Sequence, residues 1–232
     1  MKKVAIIPAR GGSKRIPRKN IKSFLNKPII AYSIEAAVES ALFDEVMVST
    51  DDEEIASIAQ KFGAQVPFIR SEKNADDYAT TVDVLIEVLN AYQEKGEEFE
   101  YGCCLYPTAP FVNASILQEG FSLLKENNRD SVFPVLPFGF PIQRAIKIKN
   151  DRSIALFQQE HLHTRSQDLE RSYHDAGQFY WFKMEPFLEK KKLWTDNTEV
   201  IVIDELKAQD IDNPVDWALA ELKYKLAFHE EK

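Results

Sequence analysis

Two charged stretches of the sequence have a composition that suits polyphosphate chemistry. The first follows the apolar run 4–7, which ends at Pro8, and it carries six cations within thirteen residues: Arg10, Lys14, Arg15, Arg18, Lys19 and Lys22. Gly11 and Gly12 lie among them, and glycine lets backbone N–H groups approach an anion closely. Because lysine and arginine supply the charge that phosphate requires, this segment predicts a polyphosphate site at the end of a first strand.

The second stretch is an acidic doublet, Asp210 and Asp212, which flanks Ile211. In an extended backbone, residues i and i+2 face the same way, so both carboxylates can point at one cation. Mg²⁺ prefers one or two carboxylates together with substrate phosphate oxygens and water. A purely structural role without a metal fits the residues equally well: Asp212 lies at the start of the last helix, and Asp210 is solvated.

The glycine spacing matches neither of two common phosphate-binding loops. A P-loop places Lys before Ser or Thr after two spaced glycines, whereas Lys14 follows Ser13. The dinucleotide fingerprint has three spaced glycines, whereas Gly11 and Gly12 are adjacent and no third glycine is near. The alternative to a polyphosphate site is a solvated basic loop that binds nothing. Such a cluster of cations is, however, unexpected in a chain of net charge −8.

The segments that must position these charges alternate between strand and helix patterns. Strands are predicted at residues 4–7, 46–49, 66–69, 102–106, 131–135, 177–183 and 199–203. Helices are predicted over 28–41, from a cap at Asp51 or Asp52 to Gly63, from a capping box of Thr80 and Asp83 to Tyr92, over 113–124, and from Pro214. The alternation predicts an α/β fold: a doubly wound, mainly parallel sheet with helices on both faces.

Four polar segments fall at the carboxyl ends of these strands: the opening loop, residues 49–52, Arg70 and residues 106–110. Sheets of this kind bind ligands at that edge. We therefore expect the opening cations and the acidic doublet to meet around one ligand.

Residues 137–170 interrupt the pattern with strand-like pieces at 145–149 and 153–157 and with no long helix. Their apolar content predicts a projecting arm that needs a partner surface. The last helix, capped by Asn213, is expected to carry its apolar residues mostly along one side: Trp217, Ala220, Leu222 and Leu226. The tail from His229 is expected to fray.

Composition limits the function classes. The 232 residues, 44% of them hydrophobic, suffice for a single domain that includes the arm. No apolar run is long enough to span a membrane, and the net acidity argues against a protein that coats nucleic acid. The start lacks a signal-peptide pattern, so a cytoplasmic protein is expected. Adjacent Cys103 and Cys104 point to opposite faces of a strand, and His161 and His163 lack a third ligand nearby, so neither pair predicts a metal site.

Residues 9–20, A-R-G-G-S-K-R-I-P-R-K-N, resemble the A-R-x-x-S-K-x-x-x-x-K-N signature of the cytidylyltransferases that activate nine-carbon acidic sugars. These are the CMP-sialic acid synthetases and their relatives for pseudaminic and legionaminic acids, and the similarity extends along nearly the whole chain. The resemblance implies a Rossmann-like nucleotidyltransferase that transfers CMP from CTP to the anomeric hydroxyl of the sugar and releases pyrophosphate. It also implies Mg²⁺ as cofactor and a homodimer whose arm reaches into the neighbour's active site.

The resemblance assigns roles to individual residues. CTP is expected to contact Ala9, Arg10, Gly11, Gly12, Ser13, Lys14, Lys19, Asn20, Arg70, Ala79 and Thr81. Arg10, Lys14, Lys19 and Asp212 are expected to act in catalysis, with Asp210 and Asp212 holding the metal. Thr80 belongs to the same segment, although helix capping alone would explain it. Ser71 stands where relatives often have proline.

The sugar side is expected to involve Tyr106, Arg144, Arg165, Gln178 and Tyr180. Tyr106 replaces the glutamine of a Q-P-T-S-P-L-R motif in the sialic acid synthetases. The segment 173–181 is similar to the pseudaminic acid type, within which His174 and Asp175 are either strand-end hydrogen bonders or sugar contacts.

The preferred substrate is therefore pseudaminic acid, for glycosylation of surface proteins such as flagellin. The alternatives are sialic, legionaminic or octulosonic acid, and a non-catalytic nucleotide-binding homologue.

Overall fold

A seven-stranded sheet and six α-helices form the frame of the protein in the computed structural model, which describes residues 1–229. The strands are β1 (Lys3–Pro8), β2 (Ser23–Phe24), β3 (Lys27–Pro28), β4 (Glu45–Ser49), β5 (Tyr101–Leu105), β6 (Ser131–Pro137), β7 (Ile146–Ile148), β8 (Ile154–Leu156), β9 (Tyr173–Asp175), β10 (Phe179–Lys183) and β11 (Thr198–Val202). The helices are α1 (Ile29–Glu39), α2 (Glu53–Lys61), α3 (Thr81–Glu94), α4 (Ala114–Glu126), α5 (Met184–Lys190) and α6 (Pro214–His229).

The main sheet has the order β11-β6-β10-β5-β1-β4, and β9 also pairs with β6. Strand β1 runs parallel to β4 and β5, and β6 runs parallel to β11. Strand β10 lies antiparallel between β5 and β6, and β9 is antiparallel to β6. The predicted α/β class with a mainly parallel, doubly wound sheet is confirmed.

The two faces of the sheet pack into two separate apolar clusters. Because side chains alternate along a strand, Ala5 lies in the cluster covered by α1 and α4, whereas Val4 lies in the cluster covered by α3 and α5. Cys103 and Cys104 divide between the same two clusters, as their adjacency predicted, and both are buried free thiols. The sheet is therefore buried on both sides, which leaves its carboxyl edge as the place for polar ligands.

Helix starts follow the predicted caps. Asp52 caps α2, since its carboxylate accepts the N–H of Ile55 (3.0 Å). Thr80 and Asp83 form the predicted capping box of α3, and Asn113 caps α4. No helix among residues 1–229 is both long and apolar enough to cross a bilayer.

The strand predicted at residues 66–69 is wrong. Only Gln65 bridges to Met47 of β4, because Pro67 has no N–H with which to extend the pairing. The chain still runs beside this edge, where the N–H of Arg70 donates to the carbonyl of Thr50 (2.8 Å). Arg70 therefore reaches the carboxyl edge without a strand to carry it.

The apolar face predicted for the last helix is wrong in part. Trp217 and Ala220 are buried, but Leu222 and Leu226 are 59% and 52% exposed. Successive residues turn by about 100° around a helix, so Leu222 lies about 140° from Trp217 and Leu226 about 180° from it. The tail was predicted to fray from His229, but His229 still belongs to α6, and residues 230–232 lie outside the described residues.

The segment between β6 and β9 contains the hairpin of β7 and β8, which pair with each other in antiparallel register. Its strands confirm the two strand-like pieces predicted there. Several of its apolar side chains face solvent in the single chain, with Phe140 87% exposed and Ile148 75% exposed.

Candidate active site

A cleft of about 680 Å³ opens at the carboxyl edge of the sheet, beside the ends of β1 and β5. Of the residues predicted for the site, those that line it are Arg10, Ser13, Lys14, Lys19, Asn20, Arg70, Ala79, Thr81, Tyr106 and Asp212. The opening loop, the segment before α3 and Asp212 of the acidic doublet therefore share one cavity, whereas Ala9, Gly11, Gly12 and Asp210 do not line it.

The opening loop leaves β1 through Ala9, a buried residue whose N–H donates to the carbonyl of Ser49 (2.9 Å). Asn20 closes the loop, since its amide donates to the carbonyl of Arg10 (2.9 Å). The side chain of Asn20 is thus bonded to the loop itself while the residue lines the cleft.

Gly11 is required by packing against the end of β4. A Cβ atom there would lie 2.7 Å from Oδ2 of Asp52, and the N–H of Gly11 already donates to Oδ1 of Asp51 (2.9 Å). Gly12, in contrast, has no atom within 4 Å of its Cβ position. Gly11 therefore connects the loop to the α2 cap, whereas the space beside Gly12 is open.

Arg18 is an internal anchor. Its guanidinium donates to both carboxylate oxygens of Asp52 and to Glu54. Hydrogen bonding from Arg18 lowers the pKa of Asp52 to about 2, and the same bond raises the pKa of Arg18. This cation is therefore committed to the loop's attachment.

Arg10 and Lys14 share one carboxylate. Nη1 of Arg10 donates to Oδ1 of Asp77 (2.8 Å), and Nζ of Lys14 donates to Oδ2. Hydrogen bonds from Lys14 and Arg10 lower the pKa of Asp77. Two cations that converge on one carboxylate are placed to share one phosphate group.

Lys19 and Arg15 face the acidic doublet. Nη2 of Arg15 lies 2.7 Å from Oδ1 of Asp212, and Nζ of Lys19 donates to the carbonyl of Ile211 (2.7 Å) and lies 4.0 Å from Oδ1 of Asp212. Desolvation lowers the pKa of Lys19, although Asp212 and Asp210 act against that shift. Cations of the opening loop thus meet the carboxylate of Asp212 near the end of the chain directly.

An apolar cluster holds these two segments together. Ile16, between the loop's cations, and Ile211, between the two aspartates, are both buried in a cluster with Phe24 and Trp217. Neither Ile16 nor Ile211 was predicted to belong to the site. A single isoleucine between charged residues in each segment was the only available signal.

Asp210 and Asp212 supply the carboxylate oxygens that a hard divalent cation prefers as ligands. The side chain of Asp210 keeps solvent access, but surrounding protein atoms desolvate its carboxylate and, together with the charge of Asp212, raise its pKa. A bound cation would offset that penalty. The described residues contain no group of three or more His, Cys, Asp or Glu that could hold a metal, so further ligands would come from substrate and water, as Mg²⁺ prefers.

One side of the cleft is formed by Arg70 and the segment before α3. Arg70 is only 6% exposed, and its Nε donates to the hydroxyl of Ser49 (2.9 Å). Burial lowers its pKa to about 10. Asp76 shapes the neighbouring loop by accepting the N–H groups of Tyr78 and Ala79 (both 2.8 Å).

The residues predicted for the sugar are dispersed. Tyr106 lines the cleft, whereas Gln178 and Tyr180 are buried behind it and donate to the carbonyl of Lys207 and to Asp175. Arg144 and Arg165 lie in the segment between β6 and β9, where they bond to Ser166 (3.2 Å) and Asp168 (2.7 Å). A single chain therefore brings one of the five to the cleft surface.

This chain is similar to several known proteins. A family model described as cytidylyltransferase matches residues 4–213. The pseudaminic acid cytidylyltransferase of Campylobacter jejuni is 42% identical over 226 residues, which cover 97% of each chain. The CMP-N,N'-diacetyllegionaminic acid synthase of Legionella pneumophila is 32% identical over 225 residues, or 95% of each chain.

A solved structure shares the fold. The structure of CMP:2-keto-3-deoxy-manno-octonic acid synthetase complexed with CTP has a TM-score of 0.69 and 18% identity, and the match covers 99% of this chain and 100% of that one. This likeness concerns the fold, whereas the family model and the more similar sequences identify the family. The chain belongs to the cytidylyltransferase family.

Proposed function

We propose that this protein transfers CMP from CTP to the anomeric hydroxyl of pseudaminic acid, a nine-carbon acidic sugar, in the cytoplasm. The observation that carries the proposal is the single cleft lined by Arg10, Lys14, Lys19 and Asp212. The 42% identity to a pseudaminic acid cytidylyltransferase supports the choice of sugar.

In the proposed reaction the cations of the opening loop bind the triphosphate. Arg10 and Lys14 exchange the carboxylate of Asp77 for phosphate oxygens, and Lys19 neutralises charge beside Asp212. The sugar hydroxyl loses its proton to solvent as its oxygen attacks the α-phosphorus, the bond from that phosphorus to the bridging oxygen breaks, and pyrophosphate leaves. Positioning and charge neutralisation supply most of the rate in such transfers, so no covalent intermediate is required.

Asp210 and Asp212 are proposed to hold Mg²⁺. The ion would supply positive charge for the pentavalent centre and would lower the pKa of the attacking hydroxyl. The residues that hold it act together with Lys19 and Arg15, which keep the doublet close to the opening loop.

Cytosine is proposed to bind near Arg70, Asn20, Ala79 and Thr81. Support comes from the burial of Arg70 at the cleft and from the Asp76 turn, which fixes the backbone at Ala79. Gly12, which faces open space, and Ser13 would complete the CTP contacts, because the N–H groups of Ala9 and Gly11 are already paired with Ser49 and Asp51.

A panel of acidic sugars tests the substrate. The wild-type protein is incubated with CTP, Mg²⁺ and pseudaminic, legionaminic, sialic or octulosonic acid, and pyrophosphate release is followed. We expect the fastest turnover with pseudaminic acid. Turnover of sialic but not pseudaminic acid would contradict the proposed substrate, and no turnover with any acid would favour a non-catalytic homologue.

The segment 137–170 is proposed to act as a dimerisation arm that brings Arg144 and Arg165 toward the partner's cleft. Its exposed apolar side chains support this, because such patches mark interaction sites. Light scattering should show a dimer, and Phe140→Asp with Ile148→Asp should yield monomers. Leu226→Asp, an exposed apolar position on α6, is the control. A wild-type monomer at micromolar concentration would contradict the proposal.

A further inference from the structure

We propose that Asp175 is a positioning residue for the acidic sugar, because it fixes Tyr180, which in turn supports Tyr106 as the wall of the cleft on the sugar side. This inference rests on the proposed function. It assigns a role to a carboxylate that has no direct contact with the triphosphate loop.

Tyr106 is held firmly in the cleft wall. Its N–H donates to the carbonyl of Gln178 (2.8 Å), and its carbonyl accepts the hydroxyl of Ser33 (2.8 Å). The phenol oxygen lies 3.3 Å from the hydroxyl of Thr81, which also lines the cleft. The backbone of Tyr106 is thus fixed on both sides, so its ring and hydroxyl define the cleft surface.

Tyr180 lies directly behind that wall. The rings of Tyr106 and Tyr180 are 5.5 Å apart between centroids, at an interplanar angle of 59°. Burial is the main cause that raises the pKa of Tyr180, and Tyr106 and Asp175 raise it further. Its phenol therefore stays protonated. The hydroxyl of Tyr180 donates to Oδ2 of Asp175.

Asp175 is itself fixed at the end of β9. Its Oδ1 accepts the N–H of Gly177 (2.8 Å), and Val135 of β6 pairs with it in the sheet. Gly177 has a φ of 62°, and a Cβ there would lie 3.8 Å from the carboxyl carbon of Asp210. The same short turn therefore supports the sugar wall on one side and borders the proposed metal site on the other.

The charge of Asp175 sets the direction of the hydrogen bonds. An ionised carboxylate only accepts, so it forces the proton of Tyr180 to point toward Asp175 and away from Tyr106. An asparagine of the same size could present its NH₂ group to Tyr180, whose proton would then be free to turn toward Tyr106. Asp175→Asn therefore changes the polarity of the wall while the packing is kept.

The test is a steady-state comparison of wild type, Asp175→Asn and Tyr180→Phe, with the KM of pseudaminic acid and the KM of CTP measured separately. We expect the sugar KM to rise about 5- to 20-fold in both variants, as for the loss of one buried hydrogen bond. The CTP KM should stay within about 2-fold. Both substitutions break the same chain of hydrogen bonds. The rise in sugar KM in the double variant should therefore be close to the larger single rise and smaller than the product of the two single rises.

Asp44→Asn is the matched control, since Asp44 accepts the N–H of Lys3 (2.7 Å) far from the cleft. An unchanged sugar KM in Asp175→Asn, or an equal rise in both KM values, would overturn the inference. If Asp175→Asn fails to fold, Tyr180→Phe decides by the same criterion. Wild-type preference for another acid would contradict the proposed substrate alone, and the same KM comparison would then be made with that acid.

Discussion

The proposed triphosphate side and the proposed sugar side of the cleft are built in different ways. The triphosphate side takes most of its charge from one continuous loop, in which Arg10, Lys14 and Lys19 lie within ten residues of one another. The sugar side is assembled from the ends of separate strands, where Tyr106 is supported from behind by Tyr180 and Asp175.

The difference follows from the chemistry of the two ligands. A triphosphate is recognised through charge, which a short cationic loop can supply at many nearby positions. A sugar is distinguished by the direction of hydrogen bonds, which requires rigid groups held by a sheet. Substitutions on one side should therefore leave the KM for the other substrate almost unchanged.

The largest effect is expected for Asp212→Ala. Loss of one carboxylate of the proposed metal pair should lower kcat/KM at least about 100-fold, because metal stabilisation of this kind is worth several kcal/mol. Stability should change little, since the pair of Asp212 with Arg15 is exposed. Pyrophosphate release and thermal unfolding check the two statements, with Asp204→Ala as the control. Unchanged turnover would remove the metal role.

Arg10→Ala tests the side of the cleft that binds phosphate. A lost charge-assisted hydrogen bond should raise the KM of CTP roughly 10- to 100-fold and leave the sugar KM unchanged. Lys22→Ala is the control from the same loop, because Nζ of Lys22 lies 4.5 Å from the ring of Trp217 and outside the cleft. Equal effects of the two substitutions would mean that only the net charge of the loop matters.

Asp52→Ala tests the anchoring of the loop. It removes the α2 cap and the partner of Arg18, so the free energy of unfolding should fall by about 1–2 kcal/mol at pH 7. The pKa of Asp52 is lowered from 3.8 to about 2 in the folded state, so its stabilisation is complete above about pH 4 and is lost as pH falls toward 2. Urea unfolding across that range should show the wild type and the variant converging. A constant difference would contradict the ionic contribution.

The smallest effect is expected for Asp77→Asn. The carboxylate competes with phosphate for Arg10 and Lys14 through exposed ion pairs, which contribute little because solvent screens them. Its neutralisation should lower the KM of CTP about 2- to 5-fold, while Asp44→Asn should have no effect. A higher KM in Asp77→Asn would show that the carboxylate orients the cations instead of competing for them.

Short-range signals explain which parts of the fold could be predicted. The apolar run that ends at Pro8, the dense cations after it, and the caps Asp52 and Thr80 each depend on residues a few positions apart. Local patterns of this kind are visible in one sequence. The loop and most elements were therefore predictable.

Long-range contacts explain what could not be predicted. Asp77 meets Arg10 and Lys14 across more than sixty residues, and Ile16 meets Ile211 near the opposite end of the chain. The antiparallel insertion of β10 also depends on pairing between distant strands. Such contacts arise from tertiary packing, which local patterns do not encode.

The response of CTP binding to Mg²⁺ tests most directly whether the opening loop and the acidic doublet act on one triphosphate. Calorimetry would compare wild type with the double variant Asp210→Asn and Asp212→Asn, each with EDTA and with Mg²⁺. We expect that Mg²⁺ strengthens CTP binding to the wild type only, and that the variant still binds CTP in EDTA through its cations. An equal Mg²⁺ response in both proteins would contradict it.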